Sequence, residues 1–135
     1  MSSCKILIVD DEPIVCERLK AFLERDGHRV ETVVVPAEAL HRLESKEFDI
    51  VISDIRMGEI DGIQVMEKVL QKSRHTKVIM ITGYATLELA REALTKGAFD
   101  FIAKPFKAKE IRKTISKAAE SLGQNGPQTA NTAVV

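Results

Sequence analysis

The sequence has 135 residues, the size of one globular domain with a single hydrophobic core. Its 20 basic and 20 acidic residues give a net charge of zero, so no overall field would hold it on nucleic acid or an anionic membrane. Apolar runs reach only four residues, Ile6 to Val9 and Val78 to Ile81, which excludes a membrane span or signal-peptide core in this sequence. Cys4 and Cys16 lack the spacing of a zinc site, and a disulfide between them is the less expected alternative. Together with the short apolar runs, this predicts a cytoplasmic protein with reduced thiols.

Two strand–helix pairs occupy the first part of the chain. Lys5 to Val9 is a short apolar run typical of a buried strand, and His28 to Val34 is a weaker strand. Pro13 suits the first turn of the helix between them, Gly27 ends that helix, and Pro36 opens the second helix. The apolar residues at helical spacing are Val15, Leu19, Phe22 and Leu23 in the first helix, and Ala39, Leu40 and Leu43 in the second.

Three more strand–helix pairs follow. Their predicted strands are Ile50 to Ile52, Lys77 to Ile81, and Phe99 to Ala103. The predicted core positions of their helices are Val65, Met66, Val69 and Leu70; Leu87, Ala90, Ala93 and Leu94; and Ile111, Ile115, Ala118 and Leu122. Strand and helix alternating five times predict a parallel α/β sheet with helices on both faces. The polar, aperiodic segment 123–135 predicts a disordered tail or linker after a domain spanning residues 4–122.

Polar residues follow four of the five predicted strands. Asp10 and Asp11 follow the first strand, Asp54 the third, Thr82 the fourth and Lys104 the fifth. Each could have a plain role: Asp11 as a helix cap, Asp54 and Thr82 as turn residues, Lys104 as a solvated side chain. Ligands of open parallel sheets bind outside the carboxyl ends of the strands. Together, the five residues therefore predict a site at this edge of the sheet.

The residue types at this edge indicate phosphoryl chemistry with a divalent cation. Clustered carboxylates repel one another unless a cation or a proton intervenes, and hard oxygen ligands favour Mg²⁺ or Mn²⁺. A carboxylate such as Asp54 is also a workable nucleophile for forming an aspartyl phosphate. The positive charge that phosphoryl transfer needs could come from the cation and from Lys104.

Four motifs, IVDDEP, ISDIRM..IDG, ITGYA and AKPF, occur in this order and at intervals that resemble the bacterial two-component response-regulator receiver domain. The match covers about residues 4–121. The segment ITGYATLELAREALTKGAFDFIAKPF looks most similar to receivers that precede enhancer-binding transcription activators. The resemblance implies a flavodoxin-like, doubly wound (βα)5 fold whose five-stranded parallel sheet has the strand order 2-1-3-4-5.

The resemblance also implies roles for individual residues. Asp54 would be the phosphoacceptor, and Asp11 would ligate Mg²⁺ together with Asp54 and the backbone carbonyl of Arg56. Asp10 would act through the water shell of the metal, and Lys104 would pair with the carboxylate and then with the phosphoryl group. The phosphoryl donor would be a sensor histidine kinase, while the receiver itself would catalyse the transfer and a slow hydrolysis.

A conformational switch follows from the same resemblance. Thr82 would move to hydrogen-bond the phosphoryl oxygens, and Phe101 would turn from an exposed to a buried rotamer. This would change the surface of the fourth helix, fifth strand and fifth helix, promote a homodimer there, and control an unidentified downstream effector. The resemblance further predicts a cis Lys104–Pro105 peptide bond.

Three positions near the predicted site vary or depart from the family pattern. Gly58 stands where family members usually have proline, so the loop after the phosphoacceptor is expected to be less rigid. Arg56 and Tyr84 flank the approach to the phosphoryl group; they could shield it from water or be plain surface residues.

Three alternatives compete with this interpretation. A haloacid-dehalogenase-type phosphatase would need Asp-x-Asp after its first strand, whereas Asp10-Asp11 is followed by Glu12 and Pro13. A receiver that is never phosphorylated would not need the complete set of acids, threonine and lysine. Residues 104–117 contain six basic residues and one acid, which could form a nucleic-acid-binding stripe or a solvated helix face. We expect the solvated face, with no direct contact to nucleic acid or membrane.

Overall fold

The fold is described by a computed structural model, which covers residues 3–57, 61–73, 75–83 and 86–124. Five strands alternate with five helices along the chain. The strands are β1 (Lys5–Val9), β2 (Arg29–Val33), β3 (Ile50–Asp54), β4 (Lys77–Thr82) and β5 (Asp100–Ala103). The helices are α1 (Pro13–Arg25), α2 (Pro36–Ser45), α3 (Gly62–Lys72), α4 (Leu87–Thr95) and α5 (Ala108–Gln124). No helix within these ranges is both long and apolar enough to cross a membrane.

The five strands form one parallel sheet in the order β2-β1-β3-β4-β5, as predicted. The sheet register aligns Ile8 with Ile52, Ile52 with Ile79, and Ile81 with Ile102. Helical crossovers are required because parallel neighbours cannot be joined by a tight turn. The strand order brings the carboxyl ends of β1, β3, β4 and β5 to one edge of the sheet.

The core consists of two layers, one on each face of the sheet. Along β1, Leu7 belongs to one layer and Ile8 to the other, because successive strand side chains point to opposite faces. The first layer contains buried residues of α2, α3 and α4, and the second contains buried residues of α1 and α5. Cys4 and Cys16 are buried and are not joined to each other; both belong to the second layer.

The structure corrects the predicted core face of α4. Leu87 and Leu94 were predicted to face the core, but they are 68% and 48% exposed. Ala93 is the buried residue of this helix, while Leu89 and Ala90 are half-buried. The sequence of α4 has two overlapping apolar faces. The face that contains Ala93 packs against the sheet, whereas Leu87 and Leu94 lie on the exposed face.

Element boundaries differ from the predicted ones by one or two residues. Strand β3 extends through Asp54 and β4 through Thr82, so both residues belong to the ordered sheet. Strand β2 is shorter than predicted, and α5 continues to Gln124, past the predicted end of the domain at residue 122. Residues 125–135, which include most of the predicted tail, lie outside the described residues.

The start of α3 is packed directly against the end of β3. Gly62 donates its backbone N–H to the carbonyl of Ile55 at 2.7 Å. A Cβ atom at Gly62 would lie 2.1 Å from the carbonyl oxygen of Asp54, so only glycine fits there without a backbone shift. The helix is capped by Asp61, which forms a reciprocal capping box with Gln64. These contacts fix the backbone immediately after Asp54.

Candidate functional site

The predicted site residues converge at the carboxyl edge of the sheet. Asp10 directly follows β1, Asp54 and Thr82 are the last residues of β3 and β4, and Lys104 directly follows β5. Asp54, Thr82 and Lys104 line an open cleft of about 570 Å³. The residues that line this cleft are Asp11, Glu12, Asp54, Arg56, Thr82, Gly83 and Lys104. The arrangement provides carboxylates, a hydroxyl group and an ammonium group on one surface.

Lys104 is the centre of a cluster of charges, which we call the Lys104 cluster: Lys104, Asp10, Glu12 and Asp54. Its Nζ lies 2.8 Å from Asp10 Oδ2, 2.8 Å from Glu12 Oε1 and 2.9 Å from Asp54 Oδ2. The side chains of Asp10 and Asp54 are 0% and 7% exposed, whereas that of Glu12 is 57% exposed. One ammonium therefore contacts three carboxylates, two of which are removed from water.

Backbone contacts hold the residues of the cluster in place. The N–H of Asp10 donates to the carbonyl of Val33, and Asp10 Oδ1 accepts the N–H of Glu12 at 2.9 Å. Asp54 Oδ1 accepts the N–H of Arg56 at 3.3 Å. Lys104 continues the β4–β5 pairing by donating its N–H to the carbonyl of Thr82 at 2.9 Å. The Lys104–Pro105 bond is cis, which confirms that prediction.

The pKa values of Asp10 and Lys104 both lie above their ordinary values, for different reasons. Burial raises the pKa of the Asp10 carboxyl, and the contact with Lys104 only partly opposes this rise. Burial lowers the pKa of Lys104, but its contacts with Asp10, Glu12 and Asp54 outweigh burial and raise the pKa above its ordinary value. Lys104 therefore carries its charge at neutral pH.

Asp10 Oδ2 has an ionic partner but no aligned hydrogen-bond donor among the described residues. Lys104 Nζ is 2.8 Å away, yet the angles do not meet those of a hydrogen bond. A buried carboxylate oxygen normally has such a donor or a bound cation. Asp10 Oδ2 therefore lacks a hydrogen-bond donor among the described residues, although it has an ion pair with Lys104.

The donor set of the cleft suits a hard divalent cation. Carboxylate oxygens of Asp10, Glu12 and Asp54 lie within 4.8 Å of one another, and Mg²⁺ prefers oxygen ligands. Of the predicted metal-binding residues, the structure brings the carboxylates of Asp10 and Asp54 together. Asp11 is exposed and lines the cleft without joining this group, and exposed Arg56 also lines it.

Glu12 is the member of the cluster that sequence reasoning missed. Glu12 directly precedes Pro13, which the sequence places in the first turn of the first helix, and Glu12 is the N-cap residue of α1. Its side chain makes no capping hydrogen bond and instead reaches Lys104. The available signal was an acid two residues after Asp10, which can point to the same side as Asp10 in an extended segment.

The two predicted switch residues occupy different environments. Thr82 is completely buried at the end of β4, where it adjoins the cleft. Phe101 is half-buried in β5 and packs against the core layer that contains α4. The predictions about Gly58 and Tyr84 fall outside the described residues.

Comparison with known proteins identifies the family. Residues 6–116 match the response regulator receiver domain. The chain is 36% identical over 113 residues to the transcriptional regulatory protein ZraR of Klebsiella oxytoca, covering 84% of this chain and 26% of ZraR. It is 37% identical over 116 residues to the regulatory protein AtoC of Escherichia coli, covering 86% of this chain and 25% of AtoC. The chain thus spans about a quarter of the length of these curated relatives.

A solved structure supports the same assignment. The CheY-like response regulator receiver domain protein of Methanospirillum hungatei superposes with a TM-score of 0.87 at 31% identity. The superposition covers 93% of this chain and all of that chain. It agrees with the sheet order and with the five surrounding helices. This chain belongs to the response regulator receiver domain family.

Proposed function

We propose that this domain is a phosphoacceptor switch in which Asp54 receives a phosphoryl group from a sensor histidine kinase. The observation that carries the proposal is the position of the Asp54 carboxylate. It lies in an open cleft, 2.9 Å from the Lys104 ammonium and beside two further carboxylates. Membership of the receiver family supports the same role.

In the proposed reaction, a carboxylate oxygen of Asp54 attacks the phosphorus of phosphohistidine. The new oxygen–phosphorus bond forms as the phosphorus–nitrogen bond breaks, and the released imidazole takes up one proton from solvent. Lys104 stabilises the negative charge on the phosphoryl oxygens because its ammonium already contacts Asp54. The domain itself would catalyse this transfer and later a slow hydrolysis, in which water replaces Asp54 on phosphorus.

A Mg²⁺ or Mn²⁺ ion would neutralise charge on the transferring phosphoryl group. We propose that Asp11, Asp54 and the carbonyl of Arg56 hold it, with Asp10 acting through its water shell. The closely spaced carboxylates of Asp10, Glu12 and Asp54, with Asp11 lining the same cleft, support a cation site here. Removing Asp11 takes away one anionic ligand, so Asp11→Ala should weaken Mg²⁺ binding strongly. NMR titration of backbone amides measures this affinity; equal affinities would exclude Asp11 as a ligand.

The phosphoryl group would act on the surface formed by α4, β5 and α5. Drawing Thr82 toward a phosphoryl oxygen would pull the loop before α4 inward, and Phe101 would move into the space that is released. Leu87 and Leu94 expose apolar area on α4, which supports a homodimer at this surface in the phosphorylated state. The dimer would then control an output partner or domain.

Relatives named as transcriptional regulators support an output in gene regulation. Because this chain spans about a quarter of their length, the output element would be another protein or another part of a longer one. We further propose that the domain works in the cytoplasm and that the chain after the end of α5 at Gln124 is a linker. We propose that the domain makes no direct contact with nucleic acid or membrane.

Phosphorylation of Asp54 can be tested with a small-molecule donor. Incubation with acetyl phosphate and Mg²⁺ should add one phosphoryl group, detected by intact-mass spectrometry. Asp54→Asn should abolish the addition. Asp49→Asn, directly before the other end of β3, is the matched control and should be labelled like the wild type. Unchanged labelling of Asp54→Asn would refute the assignment of the phosphoacceptor.

A further inference from the structure

Glu12 differs from the other acidic residues of the Lys104 cluster because it is largely exposed. Its side chain is 57% exposed, against 0% for Asp10 and 7% for Asp54. The Glu12 carboxylate nevertheless approaches Lys104 Nζ as closely as Asp10 does, at 2.8 Å. It reaches Lys104 from the solvent side of the cleft.

The contact between Glu12 and Lys104 is not explained by the start of α1. Glutamate is not a favoured N-cap residue, and the Glu12 side chain makes no capping hydrogen bond. Its backbone is fixed separately, by the hydrogen bond from its N–H to Asp10 Oδ1. The side chain can therefore turn away without disturbing the helix. Exposed ion pairs also contribute little to stability, so a gain in stability does not account for this contact.

The Lys104 ammonium is crowded by acidic groups in this arrangement. It donates hydrogen bonds to Glu12 and Asp54, and it also lies 2.8 Å from Asp10 Oδ2, so three carboxylates surround Nζ at 2.8–2.9 Å. A phosphoryl group on Asp54 would bring up to two negative charges and further acceptor oxygens next to this ammonium. The two other carboxylates, Asp10 and Glu12, would then compete with the phosphoryl oxygens for this ammonium. Asp10 is buried and cannot turn into water, whereas Glu12 can.

We propose that Glu12 is a resting-state counter-ion of Lys104 that occupies the position later taken by a phosphoryl oxygen on Asp54. This inference rests on the proposed function and deepens it. Glu12 is a positioning residue: it holds the ammonium toward the cleft in the resting state and competes with the phosphoryl group for it. Release of Glu12 into solvent accompanies phosphorylation.

The competition predicts a faster reaction when the charge of Glu12 is removed. Glu12→Gln keeps the size of the side chain but removes one negative charge beside the incoming phosphoryl group. Phosphorylation should accelerate about fivefold, the size expected for one unit charge acting across a few ångströms in a water-filled cleft. Glu24→Gln removes an equal charge from an exposed position near the far end of α1 and should leave the rate unchanged.

The kinetic test uses acetyl phosphate at a Mg²⁺ concentration that saturates each variant. In this reaction the phosphorus–oxygen bond to acetate breaks as the bond to Asp54 forms, and acetate leaves without proton transfer. Intact-mass spectrometry follows the labelled fraction over time. An equal or lower rate for Glu12→Gln would overturn the role of Glu12 and leave the proposed function standing. A wild-type chain that is never labelled would overturn both.

An NMR measurement tests the displacement itself. The ¹³C signal of the Glu12 carboxylate can be assigned by its absence from Glu12→Gln. Adding beryllofluoride, a stable mimic of the phosphoryl group, should shift this signal to that of a solvated glutamate, whereas the Glu24 signal should stay in place. A Glu12 signal that is unchanged while Asp54 is occupied would show that Glu12 keeps Lys104, and would overturn the inference.

Discussion

Replacing Lys104 by methionine should reveal how strongly the cluster depends on its single cation. Lys104→Met keeps most of the length and apolar surface of the side chain but removes the charge. It leaves fully buried Asp10 and nearly buried Asp54 without the ammonium that lies within 2.9 Å of both. Removing one partner of a buried ion pair costs about 3–5 kcal/mol. We expect the free energy of unfolding to fall by about 3 kcal/mol, at the low end of this range, because the cleft is open to solvent on the side of Glu12.

This loss can be measured by urea denaturation followed by far-UV circular dichroism, since the chain contains no tryptophan. With a urea slope of about 2 kcal/mol per molar, the midpoint should fall by about 1.5 M. Lys46→Met is the matched control: it removes an exposed ion pair with Glu31 and should change the free energy of unfolding by about 0–1 kcal/mol. An unchanged midpoint for Lys104→Met would refute the reasoning, because the buried carboxylates would then not need this cation.

The destabilisation of Lys104→Met should also depend on pH. Burial already raises the pKa of Asp10, and the variant lacks the lysine that opposes this rise. A carboxyl whose pKa is raised by folding binds a proton more readily in the native state than in the unfolded state. Its contribution to the free energy of unfolding therefore falls as pH rises from the unfolded pKa, about 3.9, through the folded pKa. The difference between variant and wild type should thus shrink at acidic pH; a constant difference would exclude Asp10 as its cause.

Three further outcomes are expected. Gly62→Ala should destabilise the fold by at least about 2 kcal/mol, because its Cβ would collide with the carbonyl of Asp54; a urea midpoint within 0.3 M of wild type (~0.6 kcal/mol) would contradict this. His28 is buried, its Nδ1 accepts the N–H of Cys4, and burial lowers its pKa, so this histidine's contribution to stability should be lost as pH falls below about 6.5. NMR titration of His28 checks the shift, and a pKa at or above 6.5 would contradict it. Leu94→Ser should weaken a beryllofluoride-induced dimer in light scattering with little change in stability; an unaffected dimer would place the interface elsewhere.

The order and type of the secondary-structure elements could be predicted from the sequence. The short apolar runs cannot form long amphipathic helices, and the stretches between them have apolar residues at intervals of three and four. Structure confirms ten elements in the predicted order. The edge that carries Asp10, Asp54, Thr82 and Lys104 also followed from local sequence, since each residue lies at the end of a predicted strand. The strand order and the cis bond at Pro105 came from the resemblance to receivers, and both are confirmed.

Contacts between distant parts of the chain were decided by the tertiary structure alone. Three acids follow one another at the end of β1, and composition cannot say which of them meets Lys104. The fold directs Asp10 and Glu12 toward Lys104 and leaves Asp11 exposed, at a bend between β1 and α1 where the N–H of Glu12 donates back to Asp10 Oδ1. Likewise, the periodicity of α4 allows two apolar faces, and packing against the sheet selects the one with Ala93. Local sequence determines which elements form, whereas these choices depend on residues up to 94 positions apart, Asp10 and Lys104, that meet only after the sheet has assembled.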